Sequence, residues 1–329
     1  MEHSNHTTGP WVGEREQAAN IPHWYVYIMI GIYAVSSLVV PGNLMTIIAF
    51  FKFRLCQATT NMLICNQSIA DLLFALTVHP FVLMNYYAPG VRLAERNKMA
   101  CLLSLTSVMF SLTSSVCNIA LLTLERFLSL TMPTKSWNSS KVRISLVFIV
   151  PSWVILLVVN VIPLMGFNRW GPGQQCLTYI VSPVFYSHVI LLPMLLILLV
   201  TALLNLGIWR IAVKRLVCPN PPDKTPTTML AAKKQLTSQR LTRMQLMIVG
   251  CFYAMYMPYI VLSLIKSYLP VQSWKTHGPP EAINILHEVA KLLLGLNSAI
   301  NPIIYAFHSP YYNKAVRAMC FRAASIHPE

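Results

Sequence analysis

Asn297, Ser298, Asn301 and Pro302 share one run, Asn297-Ser-Ala-Ile-Asn-Pro-Ile-Ile-Tyr305, that closes a strongly apolar stretch from about Ala282 to Phe307. Two amides and a hydroxyl inside lipid-spanning helix cost free energy, so they face protein or water rather than lipid. Pro302 removes a backbone donor and bends the helix that carries it. Asp71, in Ser68-Ile-Ala-Asp-Leu-Leu73, is the one acid that the sequence places at mid-membrane depth. A lone carboxylate there protonates or finds partners. Ser115, Asn297, Ser298 and Asn301 are the candidates. A carboxylate with hydroxyls and amides makes a hard-oxygen cage for Na⁺ or ordered water, with Asp71 as the metal ligand. The same groups also read as a static polar cluster that joins helices.

A second candidate is Glu125-Arg126-Phe127, at one end of the same apolar system. Adjacent opposite charges at a membrane interface either anchor a helix or meet a partner protein.

These residues are positioned by helices. Hydrophobic residues make up 55% of the 329 and charged ones 11%, against about a quarter charged in soluble domains. Seven apolar stretches reach the ~20 residues a bilayer core requires. They fall at roughly 24–51, 60–88, 98–131, 142–166, 182–216, 239–268 and 281–307. The fold class is therefore an all-α membrane protein, a seven-transmembrane helix bundle. Its expected parts are an extracellular tail at 1–23, the seven-helix domain at 24–307, and an amphipathic helix with a cytoplasmic tail at 308–329. In the last part, Tyr311, Tyr312, Val316, Met319 and Phe321 alternate with Lys314 and Arg317 in the manner of an interfacial helix. The longest internal connection, about 217–238, opens on Cys-Pro-Asn-Pro-Pro, whose prolines stop a helix.

With the N-terminus outside, 17 of the 25 Lys and Arg residues fall on the inner side and eight on the outer. The positive-inside rule favours that orientation. The +15 net charge is then mostly a cytoplasmic face that attracts anionic membrane lipid, and nucleic acid is not needed to explain it. Cys101 and Cys176 are the only cysteines placed in the oxidising compartment, so one disulfide is expected. Asn5-His-Thr7 is a glycosylation sequon in the outer tail. Cys320 is a palmitoylation candidate on the interfacial helix.

Together the spans resemble the rhodopsin-like family of G-protein-coupled receptors over nearly the whole chain. The landmarks occur in order: Gly42-Asn43, Ala70-Asp71-Leu72, Cys101, Glu125-Arg126-Phe127 with Pro133, Trp153, Pro193, Phe252 with Pro258, and Asn301-Pro302-Ile-Ile-Tyr305. The resemblance implies a receptor, not an enzyme, that couples to a heterotrimeric G protein in the cell membrane. It implies a sodium pocket at Asp71, Ser115, Asn297, Ser298 and Asn301. Pro193, Val116 and Phe252 would form a packing switch. Glu125, Arg126, Tyr256, Pro258, Pro302 and Tyr305 would act as switches when the sixth span swings out. Three positions depart from the family. Tyr256 stands where a tryptophan is usual, Thr201 replaces a tyrosine, and Thr237-Ser238-Gln239-Arg240 offers no acid to tie Arg126.

The mouth of the bundle limits the ligand. Val108 replaces the aspartate of amine receptors, and Gly295 replaces the lysine of opsins. Val108, Met109, Leu112, Phe185, Tyr256 and Tyr259 line an expected apolar pocket, with Ser263, His287 and Lys291 as its polar handles. Lys266 joins the cationic rim, and Glu288 neutralises Lys291 there. The expected ligand is small and largely apolar or weakly anionic. The segment Pro163–Trp170 is faintly similar to adenosine receptors, although Ser263 and Gly295 depart from them. The alternatives are a polytopic transporter or an intramembrane enzyme. The first lacks an internal repeat, and the second lacks paired reactive groups at depth.

Overall fold

The computed structural model describes residues 23–55, 59–131, 141–217, 226–268 and 280–321. Seven helices are long and apolar enough to cross a membrane. They are Trp24–Lys52, Thr59–Tyr86, Lys98–Thr131, Lys141–Val161, the continuous run Phe185–Val217, Pro226–Tyr268 and Glu281–His308, called here the first to seventh spans. Helices are the expected solution because every backbone polar group must be satisfied internally in lipid. The third span is the axis: 72% of its apolar window is buried, against 17% for the fourth.

Prolines shape the spans without ending them. Pro41, Pro80, Pro151, Pro258 and Pro302 all lie inside helices. The fifth span opens with a π-helical turn, Phe185–Leu191, just ahead of Pro193. A widened turn there accommodates the clash between a proline ring and the carbonyl four residues back.

Three local features differ from the sequence expectation. The second span ends at Tyr86, and a separate helix, Ala88–Arg96, follows. Gly90 makes that corner, since a Cβ there would lie 2.0 Å from the Leu83 carbonyl oxygen. The sixth span begins at Pro226 rather than 239. Proline is well placed in the first turn, where its missing N–H has no partner to lose. The fourth span ends at Val161 and passes into a 3₁₀ turn, Ile162–Met165.

Cys101 and Cys176 are joined, with Cα atoms 5.6 Å apart. The bond ties the connection after the fourth span to the head of the third. Backbone bonds from Gly173 N to Glu95 O (2.9 Å) and from Arg169 N to Val181 O (2.7 Å) hold the same connection down. At the other end Pro310–Phe321 forms the expected short helix. Tyr312 is buried there and meets Thr46 of the first span, oxygen to oxygen, at 2.9 Å. Asn5 and the tail lie outside the described residues, as does the side chain of Cys320.

Candidate functional site

Asp71 is fully buried at the centre of the bundle. Its Oδ1 accepts hydrogen bonds from Ser298 Oγ at 2.9 Å, Gln67 Nε2 at 3.0 Å and Ser115 Oγ at 3.5 Å. Its Oδ2 accepts one from Asn301 Nδ2 at 2.9 Å. Pro302 lies inside the seventh span, and Gly42 of the first packs closely against it; a Cβ at Gly42 would lie 3.1 Å from the proline ring. Asn43 Nδ2 reaches the Ser298 carbonyl at 3.0 Å and fastens the first span to the same point. Asn297 is buried nearby, yet it makes no bond to Asp71, and its Nδ2 has no partner among the described residues. Gln67 was missed in the sequence, although it stands one helical turn from Asp71, where side chains meet. The site fits a small hard cation, because the Ser298 hydroxyl donates to the carboxylate and keeps its oxygen lone pairs free, and Ser115, which accepts one bond from Gln67, keeps one.

Arg126 closes the end of the bundle opposite the disulfide. Its Nε lies 3.1 Å from Glu125 Oε2, off the donor axis, and its terminal nitrogen bonds Thr60 Oγ. Thr60 and Ser129 also donate to Glu125, at 3.1 and 3.0 Å. No acid of the sixth span reaches Arg126 among the described residues. An uncharged tie stands there instead, which the sequence reading missed. Gln245 Nε2 of the sixth span donates to Thr123 Oγ of the third at 3.2 Å, and Asn205 of the fifth donates to the same oxygen at 3.3 Å. Thr201 also touches the sixth span, meeting the Tyr253 hydroxyl at 2.7 Å.

At the disulfide end the cavity is displaced from the expected pocket. Val108, Met109, Leu112, Tyr259 and Lys291 do line it, but the remaining wall comes from the first, second and seventh spans. Phe185, Tyr256, Ser263 and His287 are not part of that wall. The reason is packing. Tyr256 stacks on Phe252 with centroids 3.9 Å apart, which fills the space below, while on the opposite side Gly295 lets the first span pack close; a Cβ there would lie 2.9 Å from Val35 Cγ1. The void measures about 40 Å³, room for a few waters and below the ~300 Å³ of drug-sized pockets. A ligand of that size must part the helices.

Glu288 is a third buried carboxylate, after Asp71 and Glu125, not an exposed rim group. Lys291 Nζ lies 2.6 Å from its Oε1 and 3.1 Å from the Tyr86 hydroxyl, which itself donates to Glu288. His287 bonds Ser263 at 3.1 Å; its Nδ1, 3.7 Å from Glu288, is too far for a hydrogen bond. The Tyr186 and Tyr259 hydroxyls meet at 2.7 Å beside Ser263. Lys266 donates to Asn284 at 2.9 Å.

The model of the seven-transmembrane receptors of the rhodopsin family matches residues 42–305. The chain belongs to that family. It is 24% identical over 286 residues to the KiSS-1 receptor of Homo sapiens, covering 85% of this chain and 70% of that one. It is 25% identical over 313 residues to the allatostatin-A receptor of Bombyx mori, covering 90% and 79%. It is 22% identical over 307 residues to a GQ-coupled rhodopsin of Mizuhopecten yessoensis, covering 89% of this chain but only 59% of that protein.

The chain is thus a multi-pass membrane receptor rather than an enzyme. Among its expected switch residues, Val116, Phe252 and Tyr256 are buried together in the core, and Tyr305 is buried against Tyr312. Pro193 is not: it lies exposed on the outer face of the fifth span, so it does not enter the core packing itself.

Proposed function

We propose that this receptor converts binding of a small, largely apolar or weakly anionic ligand at its disulfide end into activation of a heterotrimeric G protein at its Arg126 end. The N-terminus is outside the cell membrane. One observation carries the reading. Near Arg126 the sixth span is joined to the third by a hydrogen bond between neutral side chains, Gln245 to Thr123. Such bonds contribute about 1 kcal/mol each. They are made and broken within the range that a ligand's differential binding supplies. Outward movement of the sixth span would then uncover Arg126 and the groove that admits the G protein. Aldehyde and amine ligands are disfavoured by Gly295 and by Val108, an aliphatic residue in the cavity wall.

Na⁺ at Asp71 is part of the same reading. Asp71, Ser115 and Ser298 would hold the ion between the second, third and seventh spans, and a bound cation there joins spans that must shift during activation.

The test is nucleotide exchange on a panel of purified G proteins, with the receptor in native-like membranes. At least one G protein should exchange faster than with empty membranes. A transporter or an enzyme gives no such signal.

A further inference from the structure

Three side chains, through four hydrogen bonds, connect Trp153 of the fourth span to Asp71. Trp153 Nε1 donates to Asn66 Oδ1 at 2.9 Å, and Asn66 Nδ2 donates to Asn118 Oδ1 at 2.8 Å. Asn118 Nδ2 donates to Gln67 Oε1 at 2.7 Å, and Gln67 Nε2 donates to Asp71 Oδ1 at 3.0 Å. The chain crosses from the fourth span to the second, to the third and back. Asn66, Asn118 and Gln67 are all buried.

An amide has two ends of similar shape and opposite hydrogen-bonding sense. Here the sense is fixed from outside. An indole N–H only donates, so Asn66 must turn its oxygen to Trp153 and its nitrogen to Asn118. The Leu63 carbonyl only accepts, and Asn118 Nδ2 lies 3.2 Å from it, which fixes Asn118 the same way independently. Gln67 must then give its oxygen to Asn118 and its NH₂ to the carboxylate. The same NH₂ lies 3.3 Å from Ser115 Oγ.

We infer that Gln67 sets the cation affinity of the Asp71 pocket: its locked NH₂ group points donor hydrogens at the carboxylate and at Ser115, two of the oxygens a cation would use. A cation entering the pocket must give up one of those oxygens, displace Gln67, or sit beside the positive end of its amide dipole. Displacing it breaks a buried hydrogen bond to a charged group and leaves the relay unsatisfied. The receptor therefore holds Asp71 by internal donors and binds Na⁺ more weakly than the carboxylate and hydroxyls alone would. The inference rests on the sodium reading above and adds a residue that tunes it.

The experiment measures thermal unfolding of purified receptor against NaCl, at constant ionic strength with choline chloride and at pH 8. Gln67→Leu removes the donor at similar volume. Its half-saturating NaCl concentration should fall on the order of tenfold, the factor that about 1.4 kcal/mol represents. Gln67→Met, of similar length and also without the donor, should shift it the same way and serves if Gln67→Leu folds poorly. Asp71→Asn combined with either change should abolish the sodium response. If sodium stabilises wild-type receptor through Asp71 but neither variant lowers the half-saturation point, the role of Gln67 is overturned and the sodium site stands. If no variant responds to sodium beyond choline, both fall.

Discussion

Gln245 of the sixth span and Thr123 of the third are joined by a hydrogen bond of 3.2 Å, both side chains buried, one turn from Arg126. Asn205 brings the fifth span to the same hydroxyl. The sequence around residues 237–240 offers Arg126 no acidic partner, and appreciable signalling without agonist is the expectation from that alone. The neutral tie offsets part of the missing ion pair, since a partly exposed pair and a buried neutral bond are each worth about 1 kcal/mol.

Gln245→Leu removes the tie without leaving a buried amide in its place. Basal nucleotide exchange should rise about fivefold at matched surface expression, the shift that ~1 kcal/mol gives a two-state equilibrium whose active form is minor. Equal basal exchange in the variant and wild type would show that the tie does not hold the sixth span.

Cys101→Ala should release the connection after the fourth span. Loss of a native disulfide costs about 2–5 kcal/mol, and this one closes a separation of 75 residues. Surface delivery should drop, and peptide mapping of wild-type receptor without reductant should recover Cys101 linked to Cys176. Free thiols at both positions in surface receptor would contradict the fold.

Glu288→Gln should lower the melting temperature more than a double change, Glu288→Gln with Lys291→Met. Removing one member of a buried ion pair strands the other charge, at about 3–5 kcal/mol, whereas replacing both is often neutral. If the double variant melts lower than Glu288→Gln, Lys291 is not held chiefly by that carboxylate.

The seven spans were legible because each is a long apolar run, and the disulfide because only two cysteines sit on the outer side. Asp71 with Ser298 and Asn301 was legible because polar groups in such runs stand out. Gln67 and Gln245 stand in equally apolar company, but an uncharged amide gives no sign of which neighbour it serves. The signal for Gln67 was its four-residue spacing from Asp71, and for Glu288 its three-residue spacing from Lys291. The displaced cavity was not legible, since it depends on the Tyr256 and Phe252 rings stacking and on how closely Gly295 lets Val35 of the first span approach. The helix Ala88–Arg96 is short and polar, so it carries no spanning signature.

The most direct test of the two-state bundle is a distance across its Arg126 end. Spin labels at Lys52→Cys and Arg240→Cys, both exposed, would report it by pulsed electron resonance once Cys56, Cys218 and Cys320 are replaced. The distance distribution should gain a longer component when nucleotide-free G protein from the responding class is added, and a smaller one in Gln245→Leu alone. A distribution unchanged by both would contradict an outward-moving sixth span as the element that carries the signal.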